Sequence, residues 1–241
     1  MGNMAQITDT FIITPDTTLA EGMTPPMNYT FDVSRRKHSE GGHGALTVGH
    51  LSDNASFSRY KGKLNRDAIY VKKAGSDELV IPAIYEQFRE AIEKIVSYEA
   101  RHSPLYRYRM AKLNVRQWDM DIGQRQDAAP WHGDRVDTKP DEAPFEDDIF
   151  TISDRDGTLT QARPLRDRFN RLSGIYAPVM GLVAQAQPYD INWMSHNVAH
   201  SSTFATKKDV RTFLRLTFES PTAKVLAAIP ESEKRRLGLE L

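Results

Sequence analysis

Residues 211–219, RTFLRLTFE, alternate without interruption. Arg211, Phe213, Arg215 and Thr217 project to one side of an extended chain, and Thr212, Leu214, Leu216 and Phe218 to the other. A period of two is the signature of a strand, because a helix would scatter both sets around its axis. The Leu/Phe side must cover a core. The opposite side carries two arginines beside a phenylalanine, and a cation on a half-apolar face is costly unless something neutralises it. Two sources of compensation exist. One is the acidic stretch 141–148; the other is an anionic ligand, whose carboxylate the planar arginine fork matches in a bidentate way.

The rest of the chain supplies partners for such a strand. YRYRMAKLNVRQWDMDIG (106–123) is rich in aromatic and β-favouring residues and reads as strand. Residues 176–202 are broken by Pro178 and Pro188, which suits short strands and turns. Residues 163–174 read as a short helix or turn closed by Gly174. Between 105 and 219 there is room for about eight strands of five or six residues. IPAIYEQFREAIEKIVSYEA (81–100) reads as an amphipathic helix, with Ile84, Phe88, Ile92 and Ile95/Val96 forming its buried stripe. The expectation is a mainly β single domain with flanking helices: an extension over 1–104, a core over 105–219 and a tail over 220–241. Residues 1–80 are irregular in pattern. Within them the glycine-rich stretch 35–62 carries His38, His43 and His50, which admits three readings: metal ligands, a surface loop, or a lid over a polar substrate.

Composition excludes several classes. Lys+Arg and Asp+Glu both number 32, so formal net charge is zero, whereas nucleic-acid binding normally leaves a basic excess. No nucleic-acid partner is expected, and a small-molecule substrate is. The chain has no cysteine, so any metal must be held by nitrogen and oxygen. The N-terminal residues lack the pattern of a signal peptide, and no apolar run reaches membrane-spanning length. The expectation is a cytoplasmic protein with no membrane association. The sequence carries no signal for oligomeric state.

The stretch PWHGDR (130–135) sets His132 and Asp134 two residues apart. On a strand both side chains reach the same side, and Gly133 keeps the position between them small. A third ligand would come from His196 or His200 in WMSHNVAHSS. Two histidines and one carboxylate occupy one face of an octahedral metal and leave the other open, the arrangement suited to non-haem Fe(II). A helical H-x-x-x-H zinc site is disfavoured, because no HExxH glutamate is present and the neighbours are poor helix formers.

The order His132-Gly133-Asp134, then His200, then Arg211 eleven residues later and Arg215 after it, resembles the Fe(II)/2-oxoglutarate-dependent dioxygenases. The resemblance covers about residues 105–219. It implies a double-stranded β-helix (jelly-roll, cupin-like) core. It also implies Fe(II) held by His132, Asp134 and His200, with 2-oxoglutarate and O2 as cosubstrates and Arg211 on the far carboxylate of 2-oxoglutarate. His200 fits the family's spacing to the arginine better than His196, which would stand fifteen residues away and then lie beside the metal or in the substrate pocket. In related halogenases the carboxylate is replaced by a small residue; Asp134 therefore favours hydroxylation or another oxidation, such as desaturation, over halogenation.

Arg215, on the side of Arg211, is a candidate for an acidic group on the primary substrate. Asn114, Arg116 and Trp118 share one face of the preceding strand and are candidates for lining the pocket, and Trp131 reads as packing. The implied activity is a 2-oxoglutarate-dependent hydroxylase acting on a small polar, carboxylate-bearing molecule, an amino acid or natural-product intermediate among them. The alternative is a non-oxidative jelly-roll metal protein, a cupin-like isomerase or a small-ligand binding protein.

Overall fold

The computed structural model describes residues 45–51, 57, 68–124, 145, 147–155, 158–161, 169–170, 175–176, 183–195, 200–202 and 205–239. The chain is mostly β. A six-stranded antiparallel sheet has the order β1-β9-β4-β11-β3-β2. Its strands are β1 (Ala45–His50), β2 (Ile69–Lys72), β3 (Met110–Met120), β4 (Asp148–Ser153), β9 (Asp190–Ser195) and β11 (Asp209–Glu219). A three-stranded antiparallel sheet joins β10 (His200–Ser202), β5 (Thr158–Gln161) and β8 (Val183–Gln185) in the order β10-β5-β8. β6 (Phe169–Asn170) and β7 (Ile175–Tyr176) form a short pair.

The strand expected over 211–219 is present as β11, lengthened by two residues at its start. It lies inside the large sheet, paired with β3 along its whole length and with β4 over Phe213–Phe218. The core side follows from the register. Leu216 stands opposite Leu113 and Phe150, Leu214 opposite Val115 and Ile152, and Phe150 opposite Trp193. Residues facing each other across an antiparallel pair share a sheet face. This face therefore collects Leu113, Val115, Phe150, Ile152, Trp193, Leu214, Leu216 and Phe218, all fully buried.

The helix that covers this face is α1 (Arg89–His102). It buries Ala91, Ile92 and Ile95 against the sheet, together with Phe88 before it. At roughly 1.5–3 kcal/mol for each fully buried large apolar side chain, this stripe dominates the attachment of helix to sheet. The expected stripe is corrected at its first turn. Residues Ala83–Phe88 form a 3-10 helix following Pro82, and in that geometry residues three apart eclipse one another. Tyr85 and Phe88 are consequently buried, while Ile84 is 61% exposed.

Two further expectations change. The N-terminal part supplies the two edge strands of the large sheet, so 45–50 within the glycine-rich stretch is strand, not loop. Its His50 Nδ1 lies 2.9 Å from Asp190 Oδ1 on β9. Residues 169–170 are strand where a helix or turn was expected, consistent with the β-favouring Phe169, Ile175 and Tyr176 of the pair. The short strands and turns expected over 176–202 are present as β8, β9 and β10. His38, His43 and the rest of 163–174 lie outside the described residues.

Two C-terminal helices, α2 (Ala223–Ala227) and α3 (Glu231–Leu237), carry a small second cluster in which Leu226, Ile229 and Leu239 meet Leu105 and Phe145. No helix is long and apolar enough to cross a membrane among the described residues.

Candidate functional site

The second face of the large sheet is polar, and its composition follows from the same alternation. Trp118 stands opposite Arg211, Arg116 opposite Phe213, and Asn114 opposite Arg215. All five residues proposed from β3 and β11 therefore lie on one face, away from α1. The register continues the row. Arg215 stands opposite Thr151, Thr151 opposite Asn192, and Asn192 opposite Thr47. Asn114, Arg215, Thr151, Asn192 and Thr47 thus form one polar transect, about 19 Å long at the usual strand spacing.

This polar face is not a solvated surface. Arg211 is 4% exposed, Asn114 6%, Thr151 4% and Asn192 3%. Buried polar groups need partners, and several are on the page. Thr47 Oγ1 donates to Asn192 Oδ1 at 3.0 Å, Asn192 Nδ2 to the Asp190 carbonyl at 3.0 Å, and Arg215 Nε to Thr217 Oγ1 at 3.1 Å. Trp118 meets Phe213 edge-on, with ring centroids 6.2 Å apart. Arg116 Nε is buried and makes no hydrogen bond among the described residues.

The acidic stretch 141–148, one of the two possible sources of compensation for the arginines, is engaged elsewhere where it is described. Asp148 stands opposite Phe218 and so belongs to the helix-covered face. There it accepts from Trp193 Nε1 at 2.7 Å and lies 3.1 Å from Arg109 Nη1. Asp147 accepts the N–H of Ser220 at 2.7 Å.

At the end of the polar face, where β11 begins, is a cavity of about 320 Å³. Met120, Asp154, Arg155, Lys207, Asp209 and Arg211 are among its lining. Arg155 places its fork on Asp209, with Nε–Oδ2 at 2.8 Å and Nη2–Oδ1 at 3.1 Å. The side-chain bond to Arg155 is the main reason the Asp209 carboxyl is held down at about 2. Burial acts the other way on Asp154 and pushes its carboxyl above the ordinary range, against the hydrogen bond it receives from Thr212 and the charge of Arg155.

His132 and Asp134 lie outside the described residues, as do His196 and Trp131. His200 opens β10 with its backbone opposite Thr160 of β5; its side chain lies outside what is described. Among the described residues no cluster of three metal-ligating side chains occurs.

No protein-family model matches this chain, and no curated protein does. Among solved structures it is similar to EvdO2 from Micromonospora carbonacea var. aurantiaca complexed with 2-oxoglutarate. That likeness has 13% identity and a TM-score of 0.48, covering 88% of this chain and 98% of the other. EvdMO1 is similar at 15% identity and a TM-score of 0.42, covering 78% of this chain and 49% of its own, so the chain spans about half the length of that protein. An oxidoreductase of the 2OG-Fe(II) oxygenase family from Burkholderia pseudomallei has 12% identity and a TM-score of 0.38, with 77% and 89% covered. Likenesses this distant carry no functional weight, and the site is argued from its own residues.

The sequence missed Asp154, Arg155, Lys207, Asp209, Thr151 and Asn192. Asp209 was within reach, since it continues the alternation of Arg211 and Arg215 backwards by one step. Thr151 and Asn192 needed the strand register, which no local pattern supplies.

Proposed function

We propose that the protein is an Fe(II)/2-oxoglutarate-dependent oxygenase that hydroxylates a small polar molecule bearing a carboxylate. The observation that carries this reading is a buried Arg211 on the polar face of the large sheet, in register with Arg215, Asn114, Arg116 and Trp118 and opening on a cavity of small-molecule size. A guanidinium buried there suits the far carboxylate of a diacid better than a solvated surface role.

Strand order supports a double-stranded β-helix. After β3 and β4 in the large sheet the chain enters the small sheet with β5 and β8. It returns with β9, leaves again with β10 and returns with β11. Such interleaving of two antiparallel sheets is how a jelly roll manages its strands. The hydrogen-bonded order β9-β4-β11-β3 against β10-β5-β8 leaves 125–144, with His132 and Asp134, in the chain segment between β3 and β4.

The residues fit the metal by chemistry of donor type: two imidazoles and one carboxylate, with no thiolate available in the chain. His132, Asp134 and His200 would hold Fe(II), and the metal when bound supplies oxygen activation coupled to conversion of 2-oxoglutarate to succinate and carbon dioxide. One oxygen atom goes to succinate and one to the substrate, so a C–H becomes C–OH. The chain's own contribution is binding and orientation. Arg211 takes the far carboxylate of 2-oxoglutarate, Arg215 an acidic group of the primary substrate, and Asn114, Arg116 and Trp118 line the space between.

The test is anaerobic addition of Fe(II) and 2-oxoglutarate. A visible metal-to-ligand charge-transfer band is expected, weakened in Arg211→Ala and lost in His132→Ala. Metal binding with no band would leave the non-oxidative jelly-roll protein as the correct description.

A further inference from the structure

Lys72 ends β2 and is 1% exposed, so its ammonium is inside the protein. A buried lysine ordinarily pairs with a carboxylate. The hydrogen bonds of Lys72 Nζ go instead to backbone carbonyls: Tyr106 and Arg109 at 2.9 Å, Arg107 at 3.2 Å and Lys73 at 3.4 Å. The Tyr106 ring closes another side, with its centroid 4.5 Å from Nζ. Asp77 and Glu99 act on the ammonium through charge alone.

Two turns build this cage. The Arg109 N–H donates to the Tyr106 carbonyl at 3.2 Å and closes the 3-10 turn Tyr106–Tyr108, which leads into β3. The Ser76 N–H donates to the Lys73 carbonyl at 3.3 Å and closes the turn after β2. The Gly75 N–H donates to the Arg107 carbonyl at 2.8 Å and ties one turn to the other. Gly75 has φ +81°, a conformation that glycine adopts at little cost. None of these bonds involves the Lys72 side chain, so the frame of the cage does not depend on its occupant.

Carbonyl dipoles, an aromatic face and acids held at a distance are the surroundings of a monovalent cation. The distances set its size. Calcium takes oxygens at roughly 2.3–2.6 Å and magnesium at roughly 2.0–2.1 Å, with carboxylates among them. Oxygens at 2.9 to 3.4 Å suit an ammonium or a potassium ion. Burial still outweighs these neighbours and pulls the amine down to about 8. The cage is therefore a weak site, kept filled because its cation is tethered to β2 at a high effective concentration.

We infer that this cage is a monovalent-cation site of ammonium or potassium size, in which the Lys72 side chain stands in for the free ion. The inference is independent of the reading of the polar face, because the cage lies where β2 meets the turn before β3.

The test is to empty the cage. Lys72→Ala removes the ammonium and its stem, which opens a path for an ion, whereas Lys72→Met keeps the space filled by an uncharged chain. Thermal unfolding of the native chain and both variants is followed at neutral pH in ammonium, potassium, sodium and tetramethylammonium chloride. Each salt is used at about 0.2 M, so that screening is equal. Ammonium and potassium should raise the midpoint of Lys72→Ala by about 2–4 °C over sodium and tetramethylammonium. The native chain and Lys72→Met should not distinguish the salts. Should Lys72→Ala be unfolded in sodium chloride, its far-ultraviolet circular dichroism should return in ammonium chloride. Equal midpoints of Lys72→Ala in all four salts, the same ranking in the native chain or in Lys72→Met, or an alanine variant unfolded in every salt overturns the inference.

Discussion

Trp118 on β3 stands directly opposite Arg211 on β11, on the polar face of the large sheet. An indole in that position reports on whatever meets the guanidinium. Addition of glutarate or 2-oxoglutarate should change the tryptophan emission, and Trp118→Phe should abolish the change. Trp193 is bonded to Asp148 on the helix-covered face and should not respond. A signal that survives Trp118→Phe places the ligand elsewhere.

Binding at Arg211 should depend on pH through Asp154. Its carboxyl is raised above the usual 3.8, chiefly by burial, so in the folded protein it gains a proton before an ordinary aspartate does. Arg155, Lys207 and Arg211 face it as cations, Asp209 as a fixed anion, and Tyr189 stays neutral because its phenol is also raised by burial. Lowering pH toward the Asp154 titration removes a negative charge from the cavity, while glutarate takes up protons in the same acid range; the contribution of Asp154 is therefore read as the difference between the pH profiles of the native chain and Asp154→Asn, which should diverge there. The stability sign follows from the same shift. The folded state binds more protons than the unfolded between 3.8 and the raised value, so Asp154 contributes stability that is lost as pH rises through that window. Asp209 behaves oppositely: held at about 2, it contributes stability above 3.8 that is lost as pH falls toward 2.

Beneath α1, Arg109 lies between Asp148 at 3.1 Å and Glu99 at 3.7 Å, with all three side chains at most 1% exposed. Its Nη1 also donates to the Phe218 carbonyl at 3.0 Å. Removing one member of a buried charge cluster strands the others, which costs about 3–5 kcal/mol. Arg109→Met should lower the free energy of unfolding by that amount in urea titrations, without altering the glutarate affinity of the remaining folded protein, because the cluster is on the opposite sheet face.

Lys72 offers an alkaline test. Its ammonium donates to the carbonyls of Tyr106 and Arg109, both at 2.9 Å, and of Arg107 at 3.2 Å. Burial pulls it down to about 8, reinforced by Arg107 and opposed by Asp77 and Glu99. Between about 8 and 10.5 the unfolded chain holds a proton that the folded chain has released, so stability attributable to this group should rise with pH across that window. Lys72→Met should remove the slope. It should also destabilise the protein near neutrality, by taking the donor from three carbonyls around 106–109.

Much of the large sheet was legible because β11 and β3 carry their own alternation. Arg211, Arg215, Asn114, Arg116 and Trp118 could be grouped before any pairing was known, and the register places them together. The 3-10 turn at 83–88 was not legible, since Ile84 and Tyr85 are both apolar enough to fill a stripe and only backbone geometry decides between them. β1 was hidden in a stretch rich in glycine and histidine, residues that suit loops, and is held as a strand by pairing with β9. The metal ligands His132 and Asp134 were read from a short motif, and outside the described residues their roles remain a proposal. The hydrogen bond from the Thr212 amide to Asp154 was invisible for a different reason. Asp154 is fifty-eight positions from Thr212 in the chain, and nothing local marks an aspartate whose partner is a distant amide.

The alternation of β11 has a consequence for how this chain can change over time. Because its two faces are a core and a binding surface, one inserted or deleted residue between Asp209 and Arg215 would exchange them, sending arginines toward Ile92 and leucines toward the cavity. Substitutions can retune either face singly, but the length of the strand cannot drift. Variants that preserve folding should therefore place their insertions outside β11, and the spacing from Asp209 to Arg215 should behave as a fixed ruler for the whole site.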